Sequence, residues 1–189
     1  MRVIGGAGRG RRLLFPKKSP ARPTSDRTKE SLFNILSCLE GKVFLDIYAG
    51  AGSVGIEALS RGAAYVYFIE RDGLLSEYIK KNLLLCGFTG SHGVMNLEVK
   101  KALALLKNKQ VLFDIVFADP PYDRGLVQQT LGYFAEGKLL AANGLLIMQH
   151  SVRETLPAES ASPFRILDQR KFGDTVLSFL KFHEMKGEL

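Results

Sequence analysis

The residues with the clearest chemical potential stand together at Asp119-Pro120-Pro121-Tyr122. They follow the apolar run 112–118, which predicts a buried parallel strand. Two consecutive prolines can neither continue strand pairing nor enter a helix interior, so the chain leaves the strand in a fixed turn. The turn brings together a carboxylate, main-chain carbonyls and an aromatic ring, a set that suits a planar group carrying an NH2.

This tetrad predicts methylation of an exocyclic amine on a nucleobase. Such an amine is a poor nucleophile because its lone pair is delocalised into the ring. Asp119 and the carbonyl of Pro120 would hold its two hydrogens, and Asp119 would also meet the positive charge that develops on nitrogen. Tyr122 would stack on a base that has been swung out of its own stack. The alternative interpretation is a rigid strand-end turn with no chemical role.

A second candidate site is the glycine turn that begins at Asp46 and contains Gly50, Gly52 and Gly55. Glycines at the end of a strand allow a close approach of the backbone to a ligand, and the following helix directs its first amides towards it. Glu70, at the end of the next predicted strand, would accept hydrogen bonds from ribose hydroxyls. The same spacing is typical of dinucleotide-binding proteins, and it also fits a purely structural turn.

S-adenosylmethionine fits these acids better than NAD does. Asp46 would disfavour a pyrophosphate but would hydrogen-bond an amino-acid ammonium. Glu98, just after the third predicted strand, would meet the adenine amino group. The sulfonium departs as a neutral thioether, so alignment of methyl group and nucleophile is most of the catalytic task.

The excess positive charge lies at the N-terminus. Residues 1–30 hold nine basic and two acidic side chains and therefore account for the whole formal net charge of +7. A basic segment on a neutral body is typical of proteins that bind a phosphate backbone. We therefore expect Arg9, Arg11 and Arg12 to contact RNA, the alternative being a solubilising tail. The lysines at positions 100, 101, 107 and 109 indicate a solvated helix face.

The composition is that of an ordinary globular chain, with 189 residues, 46% hydrophobic and 24% charged. No apolar run is long enough to span a membrane, and we expect no secretory signal because the first residues lack a hydrophobic region of that kind. Cys38 and Cys86 have no metal-ligand spacing and are expected to be buried structural residues, so neither a metal site nor a disulfide framework is predicted. We expect a cytoplasmic monomer.

The apolar pattern alternates between strands and helices, which indicates βαβ units and a mostly parallel sheet. Helix 27–39 follows an N-cap at Thr24, Ser25 or Asp26 and is expected to end at Gly41. Asp72 and Asp123 are expected to cap two later helices. The full series is helix 27–39, strand 43–48, helix 53–60, strand 65–69, helix 73–86, strand 94–95, helix 99–106, strand 112–118, helix 125–136 and strand 145–148. The runs 164–171 and 175–182 are too close together for a crossover, so they predict a terminal antiparallel hairpin.

The chain resembles the bacterial 16S ribosomal RNA guanine-N2 methyltransferase family over nearly its whole length. The resemblance lies in six blocks: Arg-Val-Ile-Gly-Gly at 2–6, Arg-Pro-Thr-Ser-Asp-Arg at 22–27 continuing to Glu30, Phe33 and Asn34, Leu-Asp-Ile-Tyr-Ala-Gly-Ala-Gly at 45–52, Glu-Ala-Leu-Ser-Arg-Gly-Ala at 57–63, Ile-Glu at 69–70 and the tetrad at 119–122. The second block is the most specific, because many amino methyltransferases share the glycine turn and the tetrad.

The resemblance implies an α/β, Rossmann-like, seven-stranded methyltransferase sheet, mostly parallel with an antiparallel C-terminal hairpin and helices on both faces. It implies S-adenosylmethionine as donor and, as acceptor, a guanine of 16S rRNA, naked or in an assembling small subunit. It places Arg22, Thr24 and Arg27 near the mouth of the active site. The chain would be a single domain, 1–189, with 1–26 a basic RNA-binding extension and 27–189 the catalytic core.

Three alternatives remain open from the residues. An adenine-N6 methyltransferase acting on RNA or DNA would use the same tetrad. A non-catalytic RNA-binding module would keep the fold without the chemistry, although the intact tetrad and glycine turn argue against it. A nicotinamide-dependent oxidoreductase would use the glycine turn but would not need the tetrad.

Overall fold

A computed structural model describes residues 1–17, 24–158 and 162–183 of the chain. The described residues form five helices and seven strands that alternate up to the last helix. In chain order they are α1 (Asp26–Ile35), β1 (Val43–Ile47), α2 (Ser53–Ser60), β2 (Tyr65–Ile69), α3 (Gly73–Leu85), β3 (His92–Met95), α4 (Val99–Asn108), β4 (Phe113–Ala118), α5 (Leu126–Gly137), β5 (Leu140–Ser151), β6 (Phe164–Phe172) and β7 (Thr175–Phe182).

The strands belong to one seven-stranded mixed sheet, and the chain divides into two compact units, Met1–Ala102 and Leu103–Leu189. In the first unit, β2 lies between β3 and β1 and is parallel to both, with Leu45 opposite Tyr67 and Tyr67 opposite Gly93. In the second unit, β4 and β5 are parallel, and β7 is antiparallel to both β5 and β6. The predicted mostly parallel sheet and its antiparallel terminal hairpin are therefore confirmed.

The core of the first unit is built from short apolar strands and a helix that is buried on every side. Phe44, Leu45 and Ile47 are fully buried, and all eight residues of α2 are buried as well. A Cβ on Gly55 would lie 2.3 Å from the ring of Phe68, so glycine is required where α2 packs against β2. This close packing fixes the start of α2, which is the helix that follows the glycine turn.

The core of the second unit lies around β4, β5 and β7. Val116 and Phe117 of β4, Ile147 of β5 and Phe179 of β7 are each at most 2% exposed. Strands of a parallel sheet that are covered on both sides read as continuous apolar runs, which is the pattern of 113–118. This rigid base holds the C-terminal end of β4, where the tetrad begins.

Several element ends differ from the predictions, and each difference has a structural reason. Helix α1 ends at Ile35 rather than at Leu39, because Leu36 caps it and Ser37 turns to a φ of +31°. Strand β5 begins at Leu140, five residues earlier than predicted, because Leu140 pairs with Phe113 across an irregularity in β4.

Two expectations about single side chains were also wrong. Asp123 does not cap α5, since the N-cap is Gly125 in the left-handed region with no side-chain hydrogen bond. Cys38 is exposed and lies outside any helix, whereas Cys86 is buried as expected. Of the possible caps for α1, Ser25 is the one used, accepting from the Thr28 N–H at 3.1 Å. Asp72 caps α3 as predicted.

No helix among the described residues combines the length and apolar character needed to cross a membrane.

Candidate functional site

The glycine turn of the first unit is a left-handed stretch of backbone directly after β1. Tyr48, Gly50 and Gly52 have φ angles of +60°, +58° and +82°, and Gly52 serves as the N-cap of α2 without a side chain. A Cβ on Gly50 would meet no atom within 4 Å. The turn therefore leaves open space above Gly50, while the N-terminus of a well-packed helix begins two residues later.

Glu70 is fixed beside this turn by two backbone amides. Its Oε2 accepts from the Gly50 N–H and its Oε1 from the Asp72 N–H, both at 2.8 Å. Burial raises the pKa of Glu70, and these two N–H groups oppose the rise. Asn96, at the end of β3, also donates to the main-chain oxygen of Glu70 at 2.9 Å. The structure thus joins two predicted cofactor residues, Gly50 and Glu70, in one hydrogen-bonded loop.

Asp46 and Glu98, the two other acidic residues predicted to bind the cofactor, differ in burial and in hydrogen bonding. Asp46 is only 2% exposed, and its Oδ2 accepts from the Gly55 N–H at 2.8 Å, which ties the end of β1 to the first turn of α2. Glu98 is exposed and directly precedes α4, where its carbonyl accepts from the Ala102 N–H at 3.0 Å. The side chain of Glu98 takes no part in the contacts around Gly50 and Glu70.

Asn82 of α3 is a site residue that the sequence pattern did not reveal. It is fully buried; its Nδ2 donates to the carbonyls of Leu14 and Ala51, both at 3.0 Å, and its Oδ1 accepts from the Leu14 N–H at 2.7 Å. One amide side chain therefore connects the N-terminal segment with the glycine turn. The only signal in the sequence was a polar residue among apolar positions of a helix.

The N-terminal segment, residues 1–17, is a small hairpin docked on α2. Arg2 and Arg12 form an antiparallel bridge. The side chain of Glu57, fully buried in α2, accepts from the N–H groups of Ile4 at 2.7 Å and Gly5 at 2.8 Å. Gly6 lies against the Ser60 carbonyl so closely that a Cβ there would be 1.7 Å from its oxygen. The hairpin therefore packs against α2 within the first unit.

The basic side chains near the N-terminus fall into two groups. Lys29 is fully buried and donates to the Arg2 carbonyl at 2.6 Å, and burial lowers its pKa. Arg11 is exposed, but its Nη1 donates to the Leu85 carbonyl at the end of α3, at 2.9 Å. The predicted RNA contacts Arg9, Arg12 and Arg27 are exposed, and Thr24 is half-buried. Arg22 lies outside the described residues.

The tetrad lies at the end of β4 in the second unit. Asp119 and Tyr122 are half-buried, and Pro120 is buried. The Tyr122 hydroxyl accepts from Gln149 Nε2 and is also bonded to Thr175 Oγ1, both at 3.2 Å. Glu154 holds the residue after the tetrad, since its Oε1 accepts from the Asp123 N–H at 3.2 Å. The ring of Tyr122 is therefore held by its hydroxyl.

The carboxyl group of Asp119 is strongly perturbed. Burial raises its pKa to about 7, and a hydrogen bond from the Gln149 side chain opposes the rise. Asp119 as a residue retains some exposed surface, and the pKa rises because its carboxyl group is the buried part of the side chain. Burial also raises the pKa of Tyr122, and the charge of Asp119 raises it further. An acid that titrates near neutrality is able to accept a proton and release it again.

Among the described residues, no group of three or more His, Cys, Asp and Glu side chains is arranged to hold a metal ion. The tetrad itself offers a carboxyl group, main-chain carbonyls and an aromatic ring.

Solved structures of similar fold place the chain in a class. A protein from Escherichia coli described as "Putative methyltransferase" has a TM-score of 0.82 and 34% identity, covering 98% of this chain and 99% of its own. A more distant solved structure, which holds SAH, has a TM-score of 0.69 and 13% identity over 84% of this chain and 50% of its own; this likeness shows the fold alone. The chain has the Rossmann-like methyltransferase fold.

The family follows from the sequence comparisons. Residues 1–181 match the family model described as "Conserved hypothetical protein 95". The chain is 36% identical, over its full length and 92% of the relative, to ribosomal RNA small subunit methyltransferase D of Escherichia coli strain K12. The chain therefore belongs to the family described as "Conserved hypothetical protein 95".

Proposed function

We propose that this protein transfers a methyl group from S-adenosylmethionine to the exocyclic N2 amine of a guanine in 16S ribosomal RNA. The observation that carries the proposal is the Asp119-Pro120-Pro121-Tyr122 turn, with a buried carboxyl group whose pKa is about 7. The full-length relationship to a small-subunit rRNA methyltransferase supports the substrate class.

The glycine turn fits the proposed cofactor. The open space above Gly50 suits a ligand that lies close to the backbone. Each oxygen of Glu70 accepts one N–H group and keeps lone pairs for a ribose hydroxyl. We assign cofactor binding to Asp46, Gly50, Gly52 and Glu70, with Glu98 as the proposed adenine contact. Asp46 would act with its carboxylate already held by Gly55.

Bound S-adenosylmethionine supplies an electrophilic methyl group on a sulfonium, and the sulfur keeps the electron pair of the broken bond. Asp119 and the Pro120 carbonyl hold the two amine hydrogens of the base, so that the nitrogen lone pair is directed away from them. As the nitrogen gains its new carbon bond, positive charge develops beside the Asp119 carboxylate. Asp119 then accepts one proton from the nitrogen and passes it to water. Tyr122 stacks on the flipped base.

We further propose that the N-terminal segment binds the RNA backbone. Arg9 and Arg12 are exposed, and Arg27 is exposed on α1. Arg11 would contribute with the donors that the Leu85 carbonyl leaves free. Thr24 and Arg22 complete the proposed RNA-binding set by their match to the family motif.

The proposal is tested with labelled S-adenosylmethionine and three substrates: 16S rRNA lacking its methyl groups, partly assembled small subunits and duplex DNA. Nucleoside analysis then identifies the product. The expected result is N2-methylguanosine at one rRNA position with the wild-type protein and no product with Asp119→Asn. Detection of N6-methyladenine would show that the methylated base is adenine and not guanine. Cofactor binding without transfer to any substrate would contradict the proposed activity.

A further inference from the structure

Gln149 lies beside the tetrad because of the pairing between β4 and β5. Ala118, the last residue of β4, is opposite Met148 of β5 in parallel register. Asp119 and Gln149 are the residues that come next after this pair in the sequence. They therefore lie side by side at the same edge of the second unit. Gln149 is 7% exposed, so its amide group is committed to protein contacts.

The donor side of this amide faces the tetrad. Gln149 Nε2 donates to the Tyr122 hydroxyl at 3.2 Å, and the Gln149 side chain also hydrogen-bonds Asp119. The Tyr122 hydroxyl continues the chain of hydrogen bonds to Thr175 Oγ1, at the first residue of β7. The Gln149 side chain on β5 thus interacts with both the carboxyl group and the aromatic residue of the tetrad.

The acceptor side of the amide has no partner. Gln149 Oε1 is buried, and with Ser76 Oγ it is one of two such side-chain atoms without a hydrogen bond among the described residues. A buried acceptor without a partner is unfavourable, so the contacts of the Gln149 NH2 group have to offset this cost. The orientation is explained if the NH2 group is needed by Asp119 and Tyr122.

We infer that Gln149 is a positioning residue of the methyl-transfer site, whose NH2 group aligns Asp119 and Tyr122 and keeps the Asp119 carboxyl group in its acceptor role. The inference rests on the proposed function. A donor directed at Asp119 favours its carboxylate form, which is the form that accepts hydrogens of the substrate amine. The same donor holds the Tyr122 hydroxyl, so that the ring and the carboxylate keep a fixed relation.

The titratable neighbours of Asp119 in the second unit are few. Tyr122 interacts with its charge, and Glu154, which holds the Asp123 N–H, interacts with Tyr122. Neither supplies a hydrogen-bond donor that is charged at neutral pH. Gln149 is therefore the side chain through which the protonation of Asp119 is best altered without touching the tetrad.

The test compares three single variants of the full chain. Gln149→Met keeps the volume and removes both the donor and the unpartnered oxygen. Gln149→Glu replaces the NH2 group with a second oxygen beside Asp119. Thr175→Val is the matched control, since it removes the other hydrogen bond of the Tyr122 hydroxyl and leaves Gln149 in place. Each variant is measured for kcat/KM against pH, for affinity for S-adenosylmethionine and RNA, and for thermal stability.

We expect Gln149→Met to lower kcat at neutral pH at least tenfold, with both affinities within about twofold of wild type, and to leave the melting temperature unchanged or raised. The acid limb of kcat/KM should move to higher pH in both Gln149 variants, by about 1 pH unit in Gln149→Glu. Thr175→Val should leave that limb in place. Wild-type rates and profiles in Gln149→Met would overturn the inference, and so would a loss of rate that is accompanied by unfolding in both Gln149 variants.

A second readout is independent of turnover. In the free protein, a carbon-13 NMR titration of the Asp119 carboxyl group should show a higher pKa in Gln149→Met than in wild type. An unchanged titration would overturn the inference even if the enzyme is active. If wild type methylates none of the tested nucleic acids while the titration shifts as expected, the proposed function fails and the role of Gln149 towards Asp119 stands.

Discussion

At the scale of single residues, the proposed role of Asp119 requires an acceptor in surroundings that favour the neutral form of its carboxyl group. Burial raises its pKa to about 7, so the proposed reaction should depend on pH in the neutral range. Because the ionised form is the one needed, kcat/KM should rise with pH and level off above about pH 8. A rate profile that is flat between about pH 5.5 and 8 would contradict the assigned role.

The same carboxyl group should limit stability. A folded pKa of about 7 against an ordinary 3.8 means that the unfolded chain ionises first as pH rises. The contribution of Asp119 to stability is complete below pH 3.8 and is lost as pH rises through about 7. Asp119→Asn removes this loss, so its gain over wild type should grow across that range and reach roughly 4 kcal/mol above it. Urea denaturation at several pH values measures the difference, and a gain that does not vary with pH would argue against a raised pKa.

At the scale of elements, α3 holds both the N-terminal segment and the glycine turn through Asn82. Asn82→Ala leaves the N–H and carbonyl of Leu14 and the carbonyl of Ala51 without these partners. We expect a loss of about 3 kcal/mol in the free energy of unfolding and weaker binding of S-adenosylmethionine. Lys81→Ala, the exposed neighbour on the same helix, is the control and should change neither quantity. Equal behaviour of the two variants would show that Asn82 does not couple these segments.

The docking of the N-terminal segment depends on a glycine that cannot be replaced. Gly6 and Gly10 both have positive φ, +70° and +85°, but only Gly6 lies against the Ser60 carbonyl, whereas a Cβ on Gly10 would meet no atom within 4 Å. Gly10→Ala should therefore cost only the backbone strain, about 1 kcal/mol. Gly6→Ala should cost several times more and release the segment from α2, which limited proteolysis would detect. Similar protease resistance in the two variants would contradict the close contact.

The elements that were predicted correctly are those whose signals are local. Asp72 begins α3 because its own side chain accepts from the N–H groups of Leu74 and Leu75, a contact within three residues. Two of the elements that were misplaced depend on distant partners. The early start of β5 follows from pairing with Phe113, and the cap of α5 is Gly125 while the Asp123 N–H is taken by Glu154.

The same distinction applies to the candidate site. The glycine turn, Glu70 and the tetrad are visible in the sequence because their residues adjoin in the chain or end successive strands. Gln149 and Asn82 are not visible, since their roles depend on the register of β4 with β5 and on the docking of Leu14 against α3. Polar residues within otherwise apolar stretches were the only trace of both.

At the scale of the whole molecule, the basic excess is less available than the sequence indicates. Lys29 is buried, and Arg2 forms an ion pair in which its Nε lies 3.4 Å from Asp26 Oδ2. We expect Arg9→Gln combined with Arg12→Gln to weaken RNA binding and to reduce the slope of log K against log salt by about 1.4, the value for two contacts to a single strand. Lys100→Gln combined with Lys101→Gln changes the net charge equally and should leave the slope nearly unchanged. Equal slopes in the two double variants would remove the N-terminal segment from the RNA-binding surface.

The long chain separation between the N-terminal segment and its docking site has a consequence for biosynthesis. Ile4 binds Glu57 across 53 residues, and Leu14 binds Asn82 across 68. At about 5–20 residues per second, the ribosome completes the segment several seconds before its partners are made. During that interval Arg9, Arg11 and Arg12 belong to an undocked peptide beside a surface of ribosomal RNA. The segment can therefore dock as a hairpin only after α2 and α3 have been synthesised.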